Sequence, residues 1–104
     1  MSIFKDDILN GKKAFVTGGG SGICKGIAQA LLAHGAEVTI SSRRQERLDE
    51  ASAALSATTG GRCHGFAGDV RNPEDVERVL DQAVSAMGGV DIVVNGAAGN
   101  FLSP

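Results

Sequence analysis

The sequence predicts an α/β fold with a doubly wound parallel sheet, and three observations carry that prediction. Short apolar runs alternate with segments of helical periodicity, in the repeating order strand, helix, strand. The first strand breaks directly into glycines, TGGGSGIC at 17–24, before a helical pattern resumes. The last strand, Val90–Val94, is almost continuously apolar, as suits a central strand covered on both faces.

Four strands and three helices follow. Strand one is Lys13–Thr17, and the helix after it carries Ile23, Ile27, Ala30 and Leu31 on one face until Gly35 ends it. Strand two is Glu37–Ser41. A more polar helix runs from Gln45 to Ala57 with Leu48, Ala51 and Leu55 inward, and Thr58–Gly61 form its exit turn. Strand three spans Arg62–Ala67. The third helix has the strongest start signal: Asn72 as cap, Pro73 at the first helical position, and the acids Glu74 and Asp75 in the first turn. Its apolar face is Val76, Val79, Leu80, Ala83, Val84 and Met87, and Gly88 and Gly89 stop it. Strand four then stands without a partner for its outer edge, so the expected architecture is the N-terminal half of a larger sheet, incomplete at the C-terminus.

Composition narrows the function. The 104 residues, 42% hydrophobic and 21% charged, suit one small domain, 1–104. A net charge of −2, with Lys12–Lys13 and Arg43–Arg44 as short pairs without interleaved aromatics, offers no footprint for nucleic acid. The N-terminal MSIFKDDILNGK is too charged for a leader, and no run approaches a membrane span. An intracellular protein is expected, cytoplasmic if bacterial. Cys24 and Cys63 lack the paired spacing of a metal site or disulfide framework, so both read as packed thiols and no metal is expected.

Three phosphate-binding loops compete for residues 17–26. A P-loop needs glycine before its lysine and a hydroxyl residue after it, whereas Cys24 precedes Lys25 and Gly26 follows. The spacing GxGxxG fails in every register, because its third glycine falls on Ile23 or Lys25. What fits is TGxxxGxG with Thr17, Gly18, Gly22, and Cys24 in place of the last glycine. Glycines there let backbone amides approach a pyrophosphate at the positive end of a helix.

That loop resembles the short-chain dehydrogenase/reductase family, whose fold is of the Rossmann type. The resemblance implies strand order 3-2-1-4 and a dinucleotide at the switch point between strands one and four. It places the cofactor on Gly18, Gly19, Gly20, Ser21, Gly22 and Ile23. At the end of strand two, where an acid would hold the ribose hydroxyl of NAD, the chain has Ser41, Ser42, Arg43 and Arg44. A guanidinium pairs with a 2′-phosphate that a carboxylate would repel, so NADP is expected, with Ser42 and Arg43 as its contacts. Asp69-Val70 after strand three resembles the family's adenine motif. Asn95 after strand four matches the first Asn of its NNAG loop, with Gly96 replacing the second.

Beyond Asn95, the run AAGNF at 97–101 is similar to one branch of that family, the 2,4-dienoyl-CoA reductases, especially the peroxisomal type. GGGSGI at 18–23, SR at 42–43 and DVR at 69–71 agree with it. The likeness implies reduction of a 2,4-dienoyl-CoA by NADPH. It implies Arg43, Arg71 and Phe101 as acyl-CoA contacts, Asn100 beside the nicotinamide, and a homo-oligomeric parent. The family's chemistry rests on a Tyr with a Lys four residues later, and this chain has no tyrosine. His34 and His64 form no nucleophilic constellation, so no catalytic residue is assigned and the chain alone is expected to be inactive. A reductase of 3-oxoacyl thioesters and a non-catalytic nucleotide-binding module remain as alternatives.

Overall fold

The computed structural model describes residues 8–18 and 22–96. In chain order the elements are β1 (Lys13–Thr17), α1 (Gly22–Ala33), β2 (Glu37–Ser41), α2 (Gln45–Thr59), β3 (Cys63–Gly65), α3 (Pro73–Met87) and β4 (Ile92–Asn95). All pairings are parallel and the sheet order is β3-β2-β1-β4. Because successive side chains of a strand point to opposite faces, β1 and β2 serve two cores. Ala14, Val16, Val38 and Ile40 meet Cys24, Ala28 and Leu32 of α1 and Leu48, Ala51 and Leu55 of α2. Phe15 on the other face meets Val79, Ala83 and Met87 of α3. Helices on both faces of a parallel sheet make the fold doubly wound, as the sequence predicts.

Local signals account for the helix ends. Asn72 accepts a hydrogen bond from the Glu74 N–H with Pro73 at the first position of α3. Gly60 and Gly88 close α2 and α3 in the left-handed conformation, φ +74° and +86°. Helix α2 thus runs two residues past the expected Ala57, to Thr59.

Packing departs from expectation in four places. In α1 the sheet-facing stripe is Cys24, Ala28 and Leu32. Ile27 and Leu31 lie half-buried on its flank, Ala30 is exposed, and Ile23 is 63% exposed. Small side chains let the helix approach the sheet, so the stripe beside the bulkier one turns inward. In α3 only Val79, Ala83 and Met87 are buried, while Val76, Leu80 and Val84 are 36%, 37% and 42% exposed. Val93 of β4, which pairs with Phe15 and so points to the α3 side of the sheet, is 61% exposed. Strand β4 begins at Ile92 and ends at Asn95, and among the described residues it is an edge strand covered on one face, not a central one. Strand β3 is three residues long because the chain leaves the ladder after Gly65. The Ser41 hydroxyl donates to the Phe66 carbonyl at 2.7 Å, and the Ala67 N–H donates to Gln45 Oε1 at 3.0 Å, which satisfies by side chains what a neighbouring strand would otherwise bond.

Candidate functional site

The carboxyl ends of the strands are tied to one another, which holds the loops that follow them in register. Gly18 leaves β1 with φ +77°, a left-handed conformation that disfavours any side chain, and its N–H donates to the Ser41 carbonyl at 2.7 Å. The Gly68 N–H donates to the Ser42 carbonyl at 2.8 Å, joining the loop after β3 to the loop after β2. On the other side of β1, the Thr17 hydroxyl donates to Asn95 Oδ1 at 3.0 Å and the Gly96 N–H to the Thr17 carbonyl at 3.3 Å.

Between these ends lies a cleft of about 350 Å³ lined by Gly18, Ser42, Arg43, Gly68, Asp69, Val70 and Arg71. It brings together five of the sequence-predicted cofactor residues, Gly18, Ser42, Arg43, Asp69 and Val70, and adds the predicted substrate residue Arg71. Asn95 stands exposed at the end of β4, outside that lining, with its Oδ1 engaged by Thr17. Gly22 and Ile23 open α1, and a Cβ added at Gly22 would meet nothing within 4 Å among the described residues. Gly19, Gly20, Ser21, Asn100 and Phe101 lie outside the described residues. Cys24, in the place of the motif's last glycine, is fully buried in the core against the sheet. Its thiol is part of the helix-to-sheet packing.

The cleft's charges are unequal in their commitments. Arg71 donates from Nε to Asp69 Oδ1 at 3.1 Å and from Nη2 to Asp69 Oδ2 at 3.0 Å, and its backbone N–H reaches Oδ1 at 2.9 Å. These bonds, with a smaller attraction from Arg43, hold the Asp69 carboxyl down to about 2 and raise the Arg71 guanidinium. Arg43 forms no hydrogen bond or ion pair among the described residues and faces the cleft as an open donor fork. Arg44 occupies the N-cap position of α2 without a side-chain cap bond, lies 3.8 Å from Glu46 and does not line the cleft.

Three supporting residues carry no sequence motif. Gln45 donates from Nε2 to the Gly65 carbonyl at 2.9 Å while its Oε1 accepts from Ala67, so one amide bridges the start of α2 to the loop after β3. Asp75 reads as an ordinary first-turn acid, yet its Oδ2 accepts the Asp69 N–H at 3.0 Å and its Oδ1 lies 3.5 Å from Arg78. Gly68 packs against Val79, with room for no Cβ. Only the glycine's position between a strand and a capped helix hinted at a close approach.

Other features do not compete. His64 Nε2 lies 2.7 Å from Glu37 Oε2, linking β3 to β2 away from the cleft. A groove of about 730 Å³ along α3 is lined by Phe66 and the charged residues Glu74, Glu77, Arg78 and Asp81, a balance unsuited to a phosphate. Among the described residues no group of His, Cys, Asp and Glu could hold a metal, and no helix is long and apolar enough to cross a membrane.

A left-handed glycine at a strand end, a helix start uncrowded by the described residues, a guanidinium that bonds to none of them and an ionised carboxylate fit a dinucleotide: close backbone approach for the pyrophosphate, a cation for a further phosphate, an acceptor for an amine. Comparison with known proteins agrees. The profile of the short chain dehydrogenase family matches residues 12–104. A peroxisomal 2,4-dienoyl-CoA reductase from Danio rerio is 46% identical over 98% of the chain, and the chain spans 34% of that relative's length. Among solved structures, a citronellol catabolism dehydrogenase from Pseudomonas aeruginosa superposes with TM-score 0.84 at 33% identity, over 90% of this chain and 39% of that one. An L-sorbose reductase from Gluconobacter frateurii, complexed with NADPH and L-sorbose, gives TM-score 0.80 at 38% identity, over 86% and 34%.

Proposed function

We propose, because the chain belongs to the short-chain dehydrogenase family, that it holds NADP across the ends of β1, β2, β3 and β4 and forms the nucleotide-binding part of a 2,4-dienoyl-CoA reductase. The observation that carries the cofactor reading is Arg43, presented to the cleft at the end of β2 with no partner among the described residues. An exposed guanidinium that no carboxylate bonds is a poor place for a ribose hydroxyl and a good one for a 2′-phosphate.

Each residue has a role in this reading. Gly18 and Gly22, with Gly19, Gly20 and Ser21 between them, give the pyrophosphate its backbone amides, and Ile23 follows in the first turn of α1. Ser42 and Arg43 take the 2′-phosphate. Asp69 and Val70 border the adenine, and Asn95 stands on the nicotinamide side, its side chain oriented by Thr17. Bound NADPH supplies the hydride. The substrate reading rests on the dienoyl-CoA reductase relative and on the resemblance of 97–101, with Arg71, Asn100 and Phe101 as acyl-CoA contacts.

The chain spans about a third of that relative's length and contains no tyrosine. Reductase activity is therefore proposed for an assembly that includes the remaining length. The exposed apolar side chains of Val76, Leu80 and Val84 on α3 and of Val93 on β4 support further polypeptide packing over them. The chain alone is expected to bind NADPH and to leave a dienoyl-CoA unreduced. Calorimetric titration tests the cofactor: wild type binds NADPH more tightly than NADH, and Arg43→Asp loses NADPH by roughly 10-fold or more with little change for NADH. Equal losses for both nucleotides remove the assignment.

A further inference from the structure

An exposed ion pair ordinarily contributes little, because two long side chains must be held in one geometry. The Asp69–Arg71 pair differs in construction. The Arg71 N–H reaches back to Asp69 Oδ1 at 2.9 Å, a local turn that fixes one carboxylate oxygen from the backbone. Nε and Nη2 then engage Oδ1 and Oδ2 at 3.1 and 3.0 Å, a two-pronged contact that sets the carboxylate plane. The main chain beneath is also held: the Asp69 N–H donates to Asp75 Oδ2 at 3.0 Å and the Asp69 carbonyl accepts the Asn72 N–H at 2.9 Å.

An ionised carboxylate offers about four acceptor positions. Three are occupied by Arg71, two on Oδ1 and one on Oδ2, which leaves a single acceptor on Oδ2. The guanidinium gives Nε and one Nη2 hydrogen to Asp69, whereas that of Arg43 bonds to no group among the described residues.

We propose that Arg71 is a positioning residue for the nucleotide, acting through Asp69: the two-pronged contact orients that carboxylate so that one acceptor faces the cleft for an amine-bearing base. This rests on the NADP reading above. It makes a demand that a phosphate-binding arginine does not: removing Arg71 matters only while Asp69 is there to be oriented. Lysine should not replace it, since a point charge cannot hold the plane of a carboxylate.

The test is a double-mutant cycle on the full chain, read as the NADPH dissociation constant, with each variant's thermal midpoint recorded to confirm folding. Arg71→Met is expected to weaken NADPH about tenfold in the wild-type background and less than about twofold in the Asp69→Asn background. Arg71→Lys is expected to lose nearly as much as Arg71→Met. Equal losses in the two backgrounds, or full recovery by lysine, overturn the positioning role and leave the NADP reading intact. Failure of wild type to bind NADPH overturns both.

Discussion

Gly68→Ala joins the core to the cleft in one perturbation. A Cβ at residue 68 would lie 2.5 Å from Val79 Cγ2, and 3.6 Å from both Arg78 Nη2 and the Asp75 carbonyl oxygen. Carbon atoms in contact settle about 3.5–4.0 Å apart, so one side must retreat by about 1 Å. Val79 cannot turn away cheaply: it is 2% exposed, packed with Phe15, Ala83 and Met87, and branched at Cβ. Gly68 has no positive φ, so alanine suffers no backbone penalty there and the collision is the whole effect. Overpacking of this kind costs about 1–3 kcal/mol. Any retreat of residue 68 also stretches its 2.8 Å bond to the Ser42 carbonyl, which positions the Arg43 loop. Urea unfolding should show the stability loss, and NADPH titration a weaker complex. Val79→Ala alone should cost about 2 kcal/mol through lost burial and a cavity. Combined with Gly68→Ala it should cost little more, because the new methyl enters the vacated space. Additive losses, or a neutral Gly68→Ala, would refute the steric argument.

Three further outcomes follow from single groups. The Thr39 hydroxyl is buried on the α3 side of β2 with no hydrogen-bond partner among the described residues; Thr39→Val should stabilise the fold by about 1 kcal/mol in urea unfolding, and a destabilised variant would reveal a hidden partner. Burial pushes the Cys63 thiol up from 9.0 to about 11, so its alkylation at pH 8 should run about a hundredfold slower than that of an ordinary thiol and recover in urea. Asp69, held at about 2 against an ordinary 3.8, contributes stability that is fully present above pH 3.8 and lost as the pH falls through about 2. Arg71→Met removes the guanidinium bonds but keeps the residue-71 N–H on Asp69 Oδ1, so it should reduce that dependence, and the wild-type and variant acid-unfolding curves should draw together within this window.

The elements legible in the sequence were those whose cause is local. Asn72, Pro73 and the acids after them announce α3 because capping is decided within four residues, and Gly60 and Gly88 mark helix ends because a left-handed turn is a property of one residue. Which stripe of a helix turns inward is not local. Ile23, Ile27 and Leu31 form as good a helical stripe as Cys24, Ala28 and Leu32, and the distance to the sheet chose the smaller. In the same way α3 buries Val79, Ala83 and Met87 and leaves Val76, Leu80 and Val84 open, since only part of a broad apolar face can touch the described sheet. Strand β3 read too long because its end is set by Ser41 and Gln45, which are 25 and 22 residues away from the groups they bond.

From the sequence alone came the alternation that makes a parallel α/β sheet, the glycine loop at the exit of β1, and a cation where a carboxylate would mark another nucleotide. These depend on residue type and short spacing. The tertiary structure alone decided that Gly18, Ser42, Arg43, Gly68, Asp69, Val70 and Arg71 share one cleft, that Arg71 grips Asp69 while Arg43 bonds to no described residue, and that Gln45 ties the start of α2 to the chain leaving β3. The reason is physical: a side chain's chemistry is carried by the residue, but its available donors and acceptors depend on which distant groups the packed strands bring within 3 Å.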